Sequence, residues 1–353
     1  MKVAFIHGRP GPHPFHRKLA ASVNADFYFV DEKLRWHDNN AFFLKRYLSW
    51  IINALCFPLF RYDIILSEGV HFTPALMKLF KRLSKTKTLA ILDNEFLYFM
   101  KKGRYSSTTE RLNKIVLNSY DGLICSGEME TILARELLPH ASITTFFNGI
   151  EEERLKILLS LQPAIDSKNL IFIGNGPSGW RGWYKGIDLL FQAFEQLDNT
   201  YTLTIVGSWD FDFLKSIKMQ YAPVSGDRIK HVGQVKDIET YLEKAALCIH
   251  PGRGEAYGIS ILECMAAGVV SMVSEWTGAK EVVNKVSKDF IFPLSATAIT
   301  KKIEAFFLLP PDSKKQYSTK CKELTSALSE SAAIANFKEK FYTLLNQLKD
   351  ENK

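Results

Sequence analysis

The chain of 353 residues is poor in cysteine. Its five cysteines stand far apart at Cys56, Cys125, Cys248, Cys264 and Cys321, and none forms a Cys-x-x-Cys pair. That spacing argues against a disulfide framework or a thiolate metal site and suits a reducing compartment. No uninterrupted run of about 18 apolar residues occurs, so no membrane span is expected. A secretory leader is not expected either, because Met1-Lys2 passes straight into Val3–Ile6, too short for an apolar leader core. Internal repeats and low-complexity segments are also missing. What remains is 46% hydrophobic and 24% charged residues, enough for ordinary buried cores, over a length that favours two domains.

The charge is uneven. Residues 1–150 hold 20 Lys and Arg against 13 Asp and Glu, while the remaining residues hold 25 of each. The whole excess of +7 therefore lies in the first part, which suits an anionic partner there. No nucleic-acid motif accompanies it, so nucleic acid is not expected. Ala41–Phe60 is largely apolar, broken by Lys45-Arg46 and ended near Pro58. It reads as a core helix or as a helix lying on a membrane, with Trp50 and Tyr47 at the interface. Lys78, Lys81, Arg82, Lys85 and Lys87 add a basic cluster on and beside a predicted helix, Pro74–Leu83. Together they raise peripheral contact of residues 41–87 with an anionic membrane.

The most informative stretch is Ala245–Val270, AALCIHPGRGEAYGISILECMAAGVV. Ala245–His250 reads as a buried strand, and Pro251, Gly252 and Gly254 as the loop after it. Gly258 opens a helix, and Gly268 ends it at a position that needs a positive φ. Val269–Val273 is the next strand, so the unit belongs to a parallel sheet. The helix start at Tyr257, Gly258, Ile259 and Ser260 offers backbone N–H groups and the positive end of the helix dipole, which suit a phosphate. Glu255 in the loop and Glu263 in the helix flank it, with seven residues between them. A solvated helix start with two surface glutamates is the bland alternative.

This stretch resembles the Glu-x7-Glu signature of retaining GT-B glycosyltransferases, in particular glycosyltransferase family 4. The resemblance implies an α/β fold of two Rossmann-like parallel-sheet domains facing a central cleft. It implies that Glu255 faces the transferred sugar as a catalytic residue and that Glu263 binds the donor ribose. Elsewhere, Leu170–Ile173 followed by Gly174-Asn175-Gly176 and later Lys185-Gly186 resembles the family's Gly-Arg…Lys-Gly, where an Arg and a Lys bind the donor diphosphate. Asn175 stands at the Arg position, and Arg181 is expected to supply that charge from within a loop. Gly207 ends the strand Leu203–Val206. Gly233-Gln234-Val235 resembles the family's strand-Gly-x-Val, with Val235 beside the nucleobase. Gly8–Pro12 follows the first strand, Lys2–His7, and of it only Gly11 is a candidate donor contact. His13 and His16 come next and read as loop or helix-start residues. Asp93, after the strand Thr88–Leu92, is the candidate base, with Glu95 second.

Strands at Phe27–Val30, Asp63–Ser67, Gly122–Cys125 and Ile143–Phe146 complete the first sheet, and Asn148-Gly149-Ile150 resembles the motif that closes the first domain. The expected domains are 1–163, joined by a C-terminal helix 332–348, and 164–331, which binds the nucleotide-sugar. Phe337, Phe341, Leu344 and Leu345 lie on one stripe of that helix.

The resulting reading is a retaining, hexosyltransferase-type enzyme that moves sugar from a UDP- or GDP-sugar to a glycan or lipid-linked acceptor, in cell-surface polysaccharide or lipopolysaccharide synthesis. It would be cytoplasmic or peripheral on the inner face of the membrane. No cofactor and no obligatory metal are expected, since Asp210-Phe211-Asp212 precedes a helix and lacks the setting of a metal-binding Asp-x-Asp loop. A catalytically silent sugar-nucleotide-binding subunit and a sugar-nucleotide epimerase on the same fold are the alternatives.

Overall fold

The computed structural model describes residues 1–7, 11–29, 61–70, 86–177 and 179–350. Val30, Ala41–Phe60, the predicted helix Pro74–Leu83 and the basic residues Lys78, Lys81, Arg82 and Lys85 lie outside the described residues. The described chain forms two units, Met1–Phe147 with Ala333–Lys353, and Asn148–Ala332.

The first unit carries a six-stranded parallel sheet in the order β2-β1-β3-β4-β5-β6. Its strands are β1 (Val3–His7), β2 (Ala25–Phe29), β3 (Ile64–Glu68), β4 (Lys87–Leu92), β5 (Gly122–Ser126) and β6 (Ser142–Phe146). In β1 and β5 every side chain is buried, as expected of parallel strands covered on both faces. One cover is the C-terminal helix Glu330–Asp350. Its stripe of Phe337, Phe341, Leu344 and Leu345 packs into a cluster with Phe5, Leu66, Leu89 and Phe146. Phe146 meets Phe337 edge-on at 5.5 Å. Burial of each such aromatic contributes about 1.5–3 kcal/mol, which fixes the last helix to this unit.

The second unit repeats the plan in the order β12-β11-β10-β7-β8-β9. Its strands are β7 (Asn169–Ile173), β8 (Thr202–Val206), β9 (Ile229–His231), β10 (Leu247–His250), β11 (Val270–Ser274) and β12 (Ile291–Phe292). Among the described residues, the strand pairs of both sheets are parallel. The unit begins earlier than 164. Ile150 pairs with Ser329, and the helix Glu152–Ser160 packs against the helices Ile259–Ala266 and Pro311–Ser326, so the residues after Phe147 belong with the second sheet.

Each sheet has one place where successive connections leave in opposite directions: between β1 and β3 in the first, and between β7 and β10 in the second. In open α/β sheets ligands bind at the carboxyl ends of the strands beside such a point.

Candidate functional site

At the second switch point the chain turns twice under tight constraint. After β10, the loop from Pro251 to Tyr257 leads into the helix Ile259–Ala266. Gly258 caps that helix with φ 81°, a left-handed conformation that a side chain would oppose. At the other end Gly268 has φ 85°, and the N–H groups of Gly268 and Val269 donate to the carbonyls of Met265 and Cys264. This is a Schellman ending, and it returns the chain into β11.

The loop is stitched to residues after β7. The Arg253 N–H donates to the Tyr184 carbonyl at 2.7 Å, and the Tyr184 hydroxyl donates to the Gly254 carbonyl at 3.2 Å. The Arg253 guanidinium forms a fork with Asp188 at 2.7 and 2.8 Å and lies over the Trp183 ring. Gly186 has φ 74°, and a Cβ there would stand 1.9 Å from the Pro251 carbonyl oxygen, so the two segments touch only because it is glycine.

These ties bring Lys185 to Glu255, whose side chains form a direct ion pair. Both are largely shielded, at 11% and 15% side-chain exposure, so water screens the pair little. His250 lies below, fully buried and stacked on Phe172 at 5.2 Å, with Nε2 3.6 Å from the Glu255 carboxylate. Burial lowers the His250 pKa despite the pull of Glu255, so the ring is neutral at pH 7. Burial alone would raise the Glu255 carboxyl. The Lys185 ammonium and the His250 ring outweigh it and hold the group well below the ordinary carboxylate range. The site thus keeps a fixed carboxylate and a cation beside a helix N-terminus.

Other predicted residues gather at the same strand ends. The Ser260 hydroxyl donates to the Ile173 carbonyl at 3.2 Å, across the switch point. Asn175 Oδ1 accepts from the Ser208 N–H at 2.7 Å, and the Gly207 N–H donates to the Gly233 carbonyl at 2.8 Å. Asn175, Gly207 and the loop before Val235 therefore form one rim, with Asn175 as a structural tie. Tyr257 is buried and hydrogen-bonds Glu281, so it presents backbone rather than ring.

One reading needs correction. Arg181 is in the helix Gly179–Lys185 and not in a loop. Trp180 stacks on Tyr184 at 5.9 Å and 7°, and Gly182 leaves room for the Phe213 ring, packing that favours a helical turn. Arg181 and Lys185 are then one turn apart on the same helix face. Glu263, expected at the donor ribose, lies in the helix Ile259–Ala266. Its carboxylate accepts from Arg154 Nε at 2.9 Å, and the same guanidinium also holds Glu239. Arg154, Arg253, Asp188 and His250 escaped the sequence reading. Arg253 was visible as a cation inside the glycine loop, whereas Arg154 meets Glu263 only through the fold. Asp210 caps the helix Phe211–Tyr221 by accepting from the Phe213 N–H at 2.7 Å, as its place before a helix suggested.

In the first unit, Gly11 and Asp93 are brought to the other switch point. Asp93 follows β4, and its carboxylate accepts from His16 Nε2 at 3.1 Å. Burial works against protonation of His16, but the Asp93 bond and the charges of Asp93 and Glu68 raise its pKa above the ordinary value.

Residues 167–307 match the family described as Glycosyl transferases group 1. An uncharacterized glycosyltransferase, MJ1607, of Methanocaldococcus jannaschii is 25% identical over 184 residues, 46% of this chain and 44% of that protein. The chain thus aligns with less than half the length of the curated relative it matches. Among solved structures, sucrose-phosphate synthase from Thermosynechococcus elongatus superposes with a TM-score of 0.73 at 16% identity, covering 98% of this chain and 100% of that one. Anabaena HepE in complex with UDP-glucose gives 0.67 at 14%, covering 99% and 100%. The lipopolysaccharide outer core galactosyltransferase WaaB gives 0.67 at 12%, covering 97% and 99%. These likenesses show the fold, an α/β pair of parallel-sheet units of the GT-B type.

Proposed function

We propose that the chain is a nucleotide-sugar-dependent glycosyltransferase whose donor binds at the switch point of the second sheet. The observation that carries this is the shielded Lys185–Glu255 pair beside the glycine-capped start of the helix Ile259–Ala266, inside the segment that matches the family. A cation and exposed helix N–H groups stabilise the negative charge that grows on a departing nucleoside diphosphate. Arg181, on the Lys185 face, adds to that charge, so the donor needs no obligatory metal. Glu255 is held ionised next to the sugar subsite, where it stabilises the positive charge developing on the transferred sugar. Glu263, oriented by Arg154, receives the donor ribose, and the backbone near Val235 borders the base. In the first unit Asp93 is assigned to the acceptor hydroxyl. The transfer proceeds with retention, the leaving phosphate taking the acceptor proton.

HepE binds UDP-glucose and WaaB is a lipopolysaccharide galactosyltransferase. A UDP-hexose donor and a glycan or lipid-linked acceptor are the corresponding assignment here, and the basic first 150 residues suit an acceptor presented at an anionic membrane surface. Thermal unfolding with UDP-, GDP- and ADP-sugars tests the reading. A donor at 100 times its Kd stabilises the fold by about 2.7 kcal/mol. UDP-hexose is expected to raise Tm, and Lys185→Ala to abolish most of the rise. No shift with any nucleotide-sugar would overturn the proposal.

A further inference from the structure

The first switch point is lined by histidine. His7 ends β1, His13 precedes the helix Pro14–Ser22, and His16 lies in its first turn. One donor nitrogen from each lies within 4.8 Å of the other two. His7 Nε2 and His16 Nδ1 face each other at 2.9 Å. His7 is buried, and the His7 and His13 ring centroids are 3.7 Å apart. Two features of the backbone hold this packing. His13 itself is left-handed, at φ 35° and ψ 59°, and a Cβ on Gly11 would stand 2.9 Å from His13 Nε2.

The surrounding carboxylates complete the pattern. Asp93, just past β4, accepts from His16 Nε2, which leaves the Nδ1 lone pair directed at the cluster. A carboxylate behind a ligating imidazole is the usual outer-shell arrangement at a metal, fixing tautomer and ring angle. Glu68, at the end of β3, has Oε2 3.9 Å from His7 Nε2. Three neutral imidazoles and two carboxylates around one point balance the charge of a dication. Tetrahedral zinc, with Zn–N near 2.0–2.1 Å, sets its nitrogen ligands about 3.4 Å apart, which small ring rotations reach from the observed spacing.

We propose that His7, His13 and His16 form a binding site for a divalent transition metal of the zinc type, with Glu68 or water in the fourth position and Asp93 orienting His16. The site is separate from the donor site on the second sheet and does not depend on the transferase reading. Imidazole and carboxylate ligands favour zinc, and also cobalt, nickel and copper, over magnesium or calcium.

The test is zinc titration of the chelator-washed full chain by calorimetry, with cobalt(II) absorption in parallel. One equivalent is expected to bind with micromolar or tighter Kd. Cobalt should give visible d–d bands without a thiolate charge-transfer band. His13→Asn keeps a residue that tolerates the left-handed turn, and His16→Asn keeps a polar helix start. Each should weaken zinc binding at least a hundredfold, while His140→Ala leaves it unchanged. Circular dichroism and UDP binding report that the variants remain folded. Zinc binding weaker than millimolar in the wild type would overturn the proposal. Equal binding in wild type and both variants, or a cobalt spectrum dominated by thiolate, would do the same.

Discussion

The two switch points share a topology and differ in the sign of the ligand they suit. In the second sheet, Lys185, a helix N-terminus and a neutral His250 surround one carboxylate, and the uncovered charge to be met is an anion's. In the first, histidines with Asp93 and Glu68 stand at the matching strand ends, and the charge to be met is a cation's. A six-stranded parallel sheet fixes where loops converge, and the loop residues alone decide what is bound there. The basic excess of residues 1–150 hides this, because a sum over the first part says nothing of the acidic groups gathered at its strand ends.

The sharpest test of the contrast is Glu255→Gln. If the transfer chemistry belongs to the second switch point, kcat falls about a hundredfold, comparable to the loss of one preorganised electrostatic partner, with donor KM little changed. Steady-state kinetics with the donor found by thermal shift measures both, and an unchanged kcat would move the chemistry elsewhere. Lys185→Ala comes next. It should weaken nucleoside-diphosphate binding by about 1.5–3 kcal/mol, the cost of one hydrogen bond to a charged group, and leave zinc affinity unaltered. Calorimetry with UDP decides. Smaller still is Glu263→Gln, expected to raise donor KM through loss of about 1 kcal/mol with kcat nearly intact. Arg154→Gln should follow it in direction, because it frees the carboxylate that Arg154 now holds.

Most strands of both sheets were legible in the sequence to within a residue or two, because short apolar runs bounded by glycine and polar turns have few other uses. Gly258 and Gly268 were legible for the same reason, since each marks a left-handed residue at a helix end. The helix Gly179–Lys185 was not. Its tryptophans and glycines look like loop until Phe213, from a separate helix, fills the space at Gly182. The unit boundary was misplaced because Asn148–Ser160 is held by distant partners: Ile150 pairs with Ser329, and Arg154 reaches Glu263, 109 residues away. The histidines were set aside because, read along the chain, His13 and His16 are two isolated rings. Only the left-handed turn at His13 and the end of β1 turn them toward His7.

A final test separates the acidic surroundings of the first switch point from its metal chemistry. Glu130, in the helix Gly127–Leu137, is wholly buried, and neither carboxylate oxygen has a hydrogen-bond partner among the described residues. Burial raises its pKa well above the ordinary carboxylate value, and Asp93 and Glu95 push it further. The folded protein therefore binds this proton more tightly than the unfolded chain. Below about pH 4.5 both states hold it, and the contribution to stability is complete. As the pH rises toward the folded value, the unfolded chain ionises first and stability is lost. Glu130→Met removes the group and keeps the volume, so it should be close to neutral near pH 4.5 and increasingly stabilising toward pH 8, by about 1–3 kcal/mol. Tm against pH for both proteins measures the divergence. A gap that stays constant with pH would show that the folded and unfolded chains hold this proton equally, and that the first switch point is less acidic than its contrast with the second requires.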